Sequence, residues 1–250
     1  MPEMTKYEPG MFCWIELLTS DRAAAQTFYS GLFGWTPIEV PLDGGEPYVM
    51  QQKNGKSVGA IYQTTNMPPN WMSYVAVKSA DHSARMAKDL GATLLMEPFD
   101  VMDLGRMAVV KDPQGAAFSI WQAKGNPGVE VRNEPNTLVW NELMTTDVEA
   151  ARKFYGSLFN WKMKVSPEYT ELSVGETGVG GLMQIGPEWE GMPSHWQPYF
   201  MVDDCDATLQ KAQSLGTKEF FGPMDLPNGG RIAILKDPQG ATFALIKTAM

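Results

Sequence analysis

Two hundred and fifty residues, 44% hydrophobic and 20% charged, describe one large or two ordinary globular domains and exclude a disordered or fibrous chain. Twenty Lys and Arg against 29 Asp and Glu leave a formal charge of -9. That sign repels phosphate backbones, so no nucleic-acid partner is expected, while neutral, cationic or carbonyl-bearing small molecules stay admissible. Residues 1 to 10 (MPEMTKYEPG) lack signal-peptide character and no apolar run reaches the length of a membrane span, so a cytoplasmic chain without a membrane partner is expected. Cys13 and Cys205 lack CxxC spacing and read as buried thiols rather than a disulfide or a zinc knuckle.

The alternating stretch 11 to 19 predicts a strand, after which Asp21 caps a helix carrying Ala24, Phe28 and Leu32 at i, i+4 and i+8. Strands follow at 35 to 40, 47 to 53 and 57 to 63, separated by Asp43-Gly44-Gly45 and by Asn54-Gly55, a strong hairpin signal. Beyond Pro68-Pro69 the pattern repeats: a strand at 72 to 78, a helix at 81 to 90 ended by Gly91, then strands near 92 to 97, 105 to 111 and 116 to 122. Asp112-Pro113-Gln114-Gly115 is the turn before the last of these, with Pro fixing φ. The Gly-, Pro- and Asn-rich run 123 to 136 reads as a linker.

The rest of the chain repeats the first part. Trp14, Glu16, Leu17, Asp21, Phe28, Tyr29, Leu32, Phe33 and Trp35 return 126 residues later as Trp140, Glu142, Leu143, Asp147, Phe154, Tyr155, Leu158, Phe159 and Trp161. Farther on, Trp71, Tyr74, Gly91, Arg106 and Lys111-Asp112-Pro113-Gln114-Gly115 return 125 residues later, ending in Lys236-Asp237-Pro238-Gln239-Gly240. A match of this length in steady register is a duplicated domain. Residues 1–124 and 136–250 are the expected copies, 125–135 the linker, and the whole is an α+β chain of four βαβββ modules forming cupped mixed sheets.

Together, the strand before Asp21, the Phe28-Tyr29 and Leu32-Phe33-Gly34 pairs, their copies, and the Asp-Pro-Gln-Gly turns resemble the vicinal oxygen chelate superfamily of glyoxalases, extradiol dioxygenases and bleomycin resistance proteins. The doubled Trp-x-Glu-Leu is similar to a bacterial group of tandem glyoxalase-like proteins, provisionally labelled hydroxylases or glyoxalases, that includes a mycobacterial antigen. The resemblance implies a metal held inside each cup by residues at fixed strand positions. In this chain those positions fall on Trp14, Met72 and Ser119 in one half and on Trp140, Gln197 and Ala244 in the other. Divalent sites want imidazole and carboxylate, so no metal and no other cofactor is expected. His195, two residues before Gln197, cannot build a site alone, and His82 reads as solvated.

Strand alternation places Glu16 on one face with Phe12, Trp14 and Leu18, leaving Cys13, Ile15 and Leu17 toward the helix; Glu142 shares its face with Leu138, Trp140 and Met144. A carboxylate inside a cup is costly unless paired, hydrogen-bonded or protonated. It is either a general acid/base or ligand anchor, or one half of a buried ion pair with Arg106 or Arg231. Tyr74 and Tyr199 share the face of Met72 and Gln197 and either orient a ligand or bond these acids. Trp14, Trp140 and Trp121 are aimed to stack on a flat ligand, while Trp35, Trp71, Trp161 and Trp196 read as core. No GxSxG, GxGxxG or phosphate loop is present. The residues thus point to a small-molecule-binding protein, monomer or homodimer, with Glu16, Glu142, Trp14, Tyr74, Ser119, Trp121, Trp140, Gln197 and Tyr199 at its sites. The alternative is a glyoxalase-like lyase, isomerase or hydroxylase in which Glu16 or Glu142 moves a proton.

Overall fold

The computed structural model describes residues 3–41, 47–189, 191–227 and 229–249. Its first half runs β1 (Phe12–Thr19), α1 (Arg22–Phe33), β2 (Thr36–Val40), β3 (Tyr48–Lys53), β4 (Lys56–Gln63), β5 (Asn70–Ala76), α2 (Ala80–Asp89), β6 (Thr93–Val101), β7 (Gly105–Lys111) and β8 (Ala117–Ala123). The second half repeats the order as β9 (Leu138–Thr145), α3 (Val148–Phe159), β10 (Lys162–Val165), β11 (Thr170–Val174), β12 (Thr177–Gln184), β13 (His195–Met201), α4 (Cys205–Ser214), β14 (Phe220–Asp225), β15 (Arg231–Lys236) and β16 (Thr242–Lys247). The four βαβββ modules are therefore present. No helix among the described residues is long and apolar enough to cross a membrane.

Local chemistry accounts for the element ends. Asp21 and Asp147 accept the backbone N–H of Ala24 and Ala150 at 3.0 and 2.9 Å, satisfying donors that open the helices. The same helices stop at Gly34 and Asn160, both in the left-handed region at φ 73° and 54°. Asn54 and Gly55 take φ 53° and 79°, as a two-residue hairpin turn requires. The Asp43-Gly44-Gly45 turn lies outside the described residues.

Each half forms one eight-stranded sheet, ordered β2-β3-β4-β1-β5-β8-β7-β6 and β10-β11-β12-β9-β13-β16-β15-β14. The two modules of a half meet along the antiparallel pairs β1–β5 and β9–β13, so each cup is closed by neighbours in the chain. Between the sheets lie two mixed cores. One joins α1 to α4 and the strands around Phe200 and Phe243; the other joins α2 to α3 around Phe12, Phe118 and Trp196. Trp35, Trp71, Trp161 and Trp196 are buried there as expected, and Cys13 and Cys205 are buried free thiols.

The turn acids hold the halves together. Tyr29 of α1 donates to Asp237 Oδ2 at 3.0 Å and accepts from Trp71 Nε1 at 3.0 Å, while Tyr155 of α3 donates to Asp112 Oδ2 at 2.9 Å and accepts from Trp196 Nε1 at 2.9 Å. Each acid meanwhile spends its other oxygen on its own turn, Asp112 Oδ1 on Gln114 and Ala116.

Alternation in β1 and β9 holds only from Trp14 and Trp140 onward. A bulge lies between Phe12 and Trp14 and another opposite the Tyr199–Phe200 step, so two residues oppose one and the side chains before them change faces. Phe12 and Leu138, expected in the cups, belong to the cores between the sheets, and Cys13 packs with the first cup instead of toward the helix. Arg132 donates to the carbonyls of Phe12 and Val139 at 3.0 and 3.4 Å, carbonyls that flank the two bulges. β6 also runs past the expected end at 97 to Val101, through Pro98, because it is an edge strand whose outer N–H needs no ladder partner.

Candidate functional site

The concave face of the first sheet gathers residues from three adjacent central strands. Trp14 pairs in register with Tyr74, and Tyr74 with Ser119, so β1, β5 and β8 lay Trp14, Glu16, Met72, Tyr74, Ser119 and Trp121 along one floor. Above this floor is a cavity of about 780 Å³, of the size that holds a small organic ligand. Tyr48 and Met50 from β3, Tyr62 from β4, and Phe99 and Met107 from β6 and β7 form its walls. At the mouth, Leu95, Met96 and Met102 are 42%, 49% and 55% exposed, a ring of apolar side chains around the entrance.

Glu16 is the ionisable acid of this floor and is only 8% exposed. Tyr74 donates its hydroxyl to Glu16 Oε2 at 2.8 Å, and the Tyr48 hydroxyl also bonds the carboxyl while accepting from Trp14 Nε1 at 3.1 Å. Burial raises the Glu16 pKa above the ordinary carboxylate value, and the two phenol donors offset part of that rise. The Tyr48 and Tyr74 hydroxyls are themselves pushed well up, first by burial and then by the facing carboxylate. Ser119 Oγ is buried beside Tyr74 without a well-formed hydrogen bond.

The ion pair expected as one alternative does not form. Arg106 instead grips Asp81 of α2 through Nε and Nη2 at 2.8 and 2.9 Å, and Arg231 grips Asp206 of α4 at 2.5 and 2.9 Å. The guanidinium groups stand where strand and helix meet at the surface, and hydrated carboxylates there cost less to pair than one inside a cup. The glycine before Arg106 has its own reason: a Cβ on Gly105 would come within 2.3 Å of the Trp121 ring.

The second cup repeats the floor. Tyr199 donates to Glu142 Oε1 at 2.7 Å, Tyr169 bonds the same carboxyl, and Trp140 Nε1 donates to the Tyr169 hydroxyl at 2.8 Å. Burial again raises the acid's pKa against the two phenols. Its surroundings differ. Ala244 and Ile246 stand where the first cup has Ser119 and Trp121, and Gln197, its Nε2 buried beside Tyr199 without a well-formed hydrogen bond, replaces Met72. The Tyr169 hydroxyl lies where a Cβ on Gly181 would be, 1.9 Å away, whereas Ala60 occupies the matching place in the first half. His195 shares the Gln197 face, with Nδ1 2.9 Å from the Pro193 carbonyl, and His82 lies near the start of α2. Among the described residues no group of three or more His, Cys, Asp or Glu is placed to hold a metal ion.

The structure thus brings the expected inward residues together in two sets, one per half. Sequence reasoning missed Tyr48 and Tyr169. They are 121 residues apart, as are Val58-Gly59-Ala60 and Val179-Gly180-Gly181, so the repeat loses five residues here and matching at a constant 125 or 126 passes over them.

Residues 128–245 match the family profile described as Glyoxalase/Bleomycin resistance protein/Dioxygenase superfamily. CFP32, a proposed glyoxylase of Mycobacterium bovis, is 39% identical over 260 residues, covering 100% of this chain and 99% of its own. The anthracycline biosynthesis protein DnrV of Streptomyces peucetius is 36% identical over 268 residues, covering 98% and 95%. Among solved structures, the Mn(II)-bound glyoxalase of Novosphingobium aromaticivorans superposes with a TM-score of 0.68 at 15% identity, over 96% of this chain and 82% of that one, a likeness of fold. With a relative at 39% identity along the whole chain and the same doubled sheets in both halves, the protein belongs to the glyoxalase/bleomycin resistance protein/dioxygenase superfamily.

Proposed function

We propose that this protein binds a small, largely apolar organic molecule in the first cup and does so without a resident divalent metal. The observation that carries the reading is the 780 Å³ cavity, walled by aromatic and Met side chains, over a floor with a single hydrogen-bonded carboxyl. Stacking on Trp14 or Trp121 would hold a flat ligand, and Glu16, Tyr74 and Ser119 would fix its polar end. The family's metal does not suit this floor. Indole, thioether and hydroxyl stand at the ligand positions, and Glu16, the remaining donor, already accepts from two phenols. A relative named for anthracycline biosynthesis is in keeping with a flat polycyclic ligand. Two buried free thiols accord with a reducing, cytoplasmic setting. Native mass spectrometry of the gently purified protein, followed by extraction of whatever copurifies, tests the reading: one apolar molecule per chain is expected. Binding that survives when Met107→Trp fills the first cavity would refute it.

A second reading, an enzyme in which Glu16 or Glu142 moves a proton beside a carbonyl, draws on one observation: both acids are held without a cation and with raised pKa in matching places. Turnover of a ketone or aldehyde substrate that disappears in Glu16→Gln, while ligand affinity stays, would favour it.

A further inference from the structure

Among the described residues the wall of the first cavity carries no Lys, Arg or His. Its titratable groups are Glu16 from β1, Tyr48 from β3, Tyr62 from β4 and Tyr74 from β5, and every one of them is neutral or negative. Glu16 is therefore a buried acid with phenol donors and no counter-charge. A carboxylate offers about four lone-pair directions, and Tyr48 and Tyr74 fill two of them. The rings of Trp14, Tyr48, Tyr74 and Trp121 line the same cavity, with Tyr48 and Tyr74 turning their hydroxyls to the carboxyl and Tyr74 and Trp121 edge-on at 6.5 Å between centroids. Ring faces attract cations, and thioethers such as those of Met50, Met72 and Met107 are soft and adaptable neighbours for a bulky apolar body.

Resting on the binding function proposed above, the geometry points to a lipophilic amine as the ligand of the first cup: a protonated nitrogen donates to a free lone pair of Glu16 within the aromatic-lined cavity, and its apolar body lies against the Met and Phe side chains toward the mouth. A neutral alcohol or phenol could supply the hydrogen bond, but only a cation also offsets the cost of an ionised carboxylate removed from water. The chain's net charge of -9 draws cations to it from solution as well. Binding of the ammonium would keep Glu16 ionised, so affinity for the amine should weaken as pH falls through the titration of that carboxyl, while a neutral analogue should show no such slope.

The test pairs 1-naphthylmethylamine, charged at pH 7.5, with 1-naphthalenemethanol, its uncharged near-isostere, by titration calorimetry on the full chain. Roughly tenfold or greater preference for the amine is expected, a conservative figure for a desolvated cation among aromatic rings. In Glu16→Gln the preference should disappear, the amine binding no better than the alcohol. Should that variant fail to fold, the wild-type pair measured from pH 5.5 to 8.5 decides, because only the amine should lose affinity toward acid. Equal binding of amine and alcohol by the wild type, or an amine preference that survives in Glu16→Gln, overturns the amine assignment and leaves the cup a binding site. Binding of neither probe at their solubility limits overturns both.

Discussion

Replacing Glu16 by Gln distinguishes a strained carboxyl from a structural one. Gln keeps one acceptor oxygen for the Tyr74 and Tyr48 hydroxyls and puts an amide N–H2 in place of the other, so relative to the neutral carboxyl each contact loses up to about 1 kcal/mol. Against this stands the burial that raises the acid's folded pKa. A raised folded pKa means that the folded chain binds the proton more tightly than the unfolded one. The stability this contributes is complete below the unfolded carboxyl value and is lost as pH rises toward the folded value, by about 1.4 kcal/mol per pH unit. Gln does not titrate. Near pH 4 the variant should be level with the wild type or about 1 to 2 kcal/mol weaker, and its relative stability should climb by about 1.4 kcal/mol per unit until Glu16 has ionised. Urea titrations followed by tryptophan fluorescence at half-unit steps from pH 4 to 8.5 would trace that climb, and its plateau would mark the folded pKa. A variant about 3 to 5 kcal/mol weaker at every pH, the mark of a charged partner left stranded, would refute the reasoning.

Tyr29→Phe should cost about 1.5 to 3 kcal/mol, since it leaves Asp237 Oδ2 and Trp71 Nε1 buried without their shared partner; calorimetry should show Tm falling by about 2 to 4 °C per kcal/mol in a chain of this size, and an unchanged Tm would remove this lock between halves. Elemental analysis of the purified protein should find no stoichiometric Zn, Ni, Fe or Mn, and EDTA should leave Tm unmoved; one metal per half would overturn the metal-free proposal. Gly105→Ala drives a methyl into the Trp121 ring, so it should shift tryptophan emission and weaken ligand binding several-fold. Unaltered emission would mean that the ring does not hold this place.

The duplicated pattern of strand, capped helix and three strands was legible in the residues, because alternation, Asp caps and Asn-Gly or Asp-Pro turns are local chemistry. So was the inward set Trp14, Glu16, Tyr74 and Trp121, because regular strands repeat side-chain direction every second residue, with Ser119 located by the resemblance to the family's ligand positions. Tertiary structure decided the rest. Alternation stopped at the two bulges, which sent Phe12 and Leu138 into the cores between the sheets and packed Cys13 with the residues of the first cup. Beside Tyr74 and Tyr199, which the sequence did offer, Glu16 and Glu142 drew a second phenol partner from β3 and from the residue before β11, across a part of the repeat with a different spacing, whereas the arginines that the sequence offered found the helix acids Asp81 and Asp206 at the surface. Pairing of Asp112 and Asp237 with tyrosines of the opposite half spans 43 and 208 residues. No local pattern encodes which surface a turn will meet, because that depends on how two finished sheets bury their convex faces against each other.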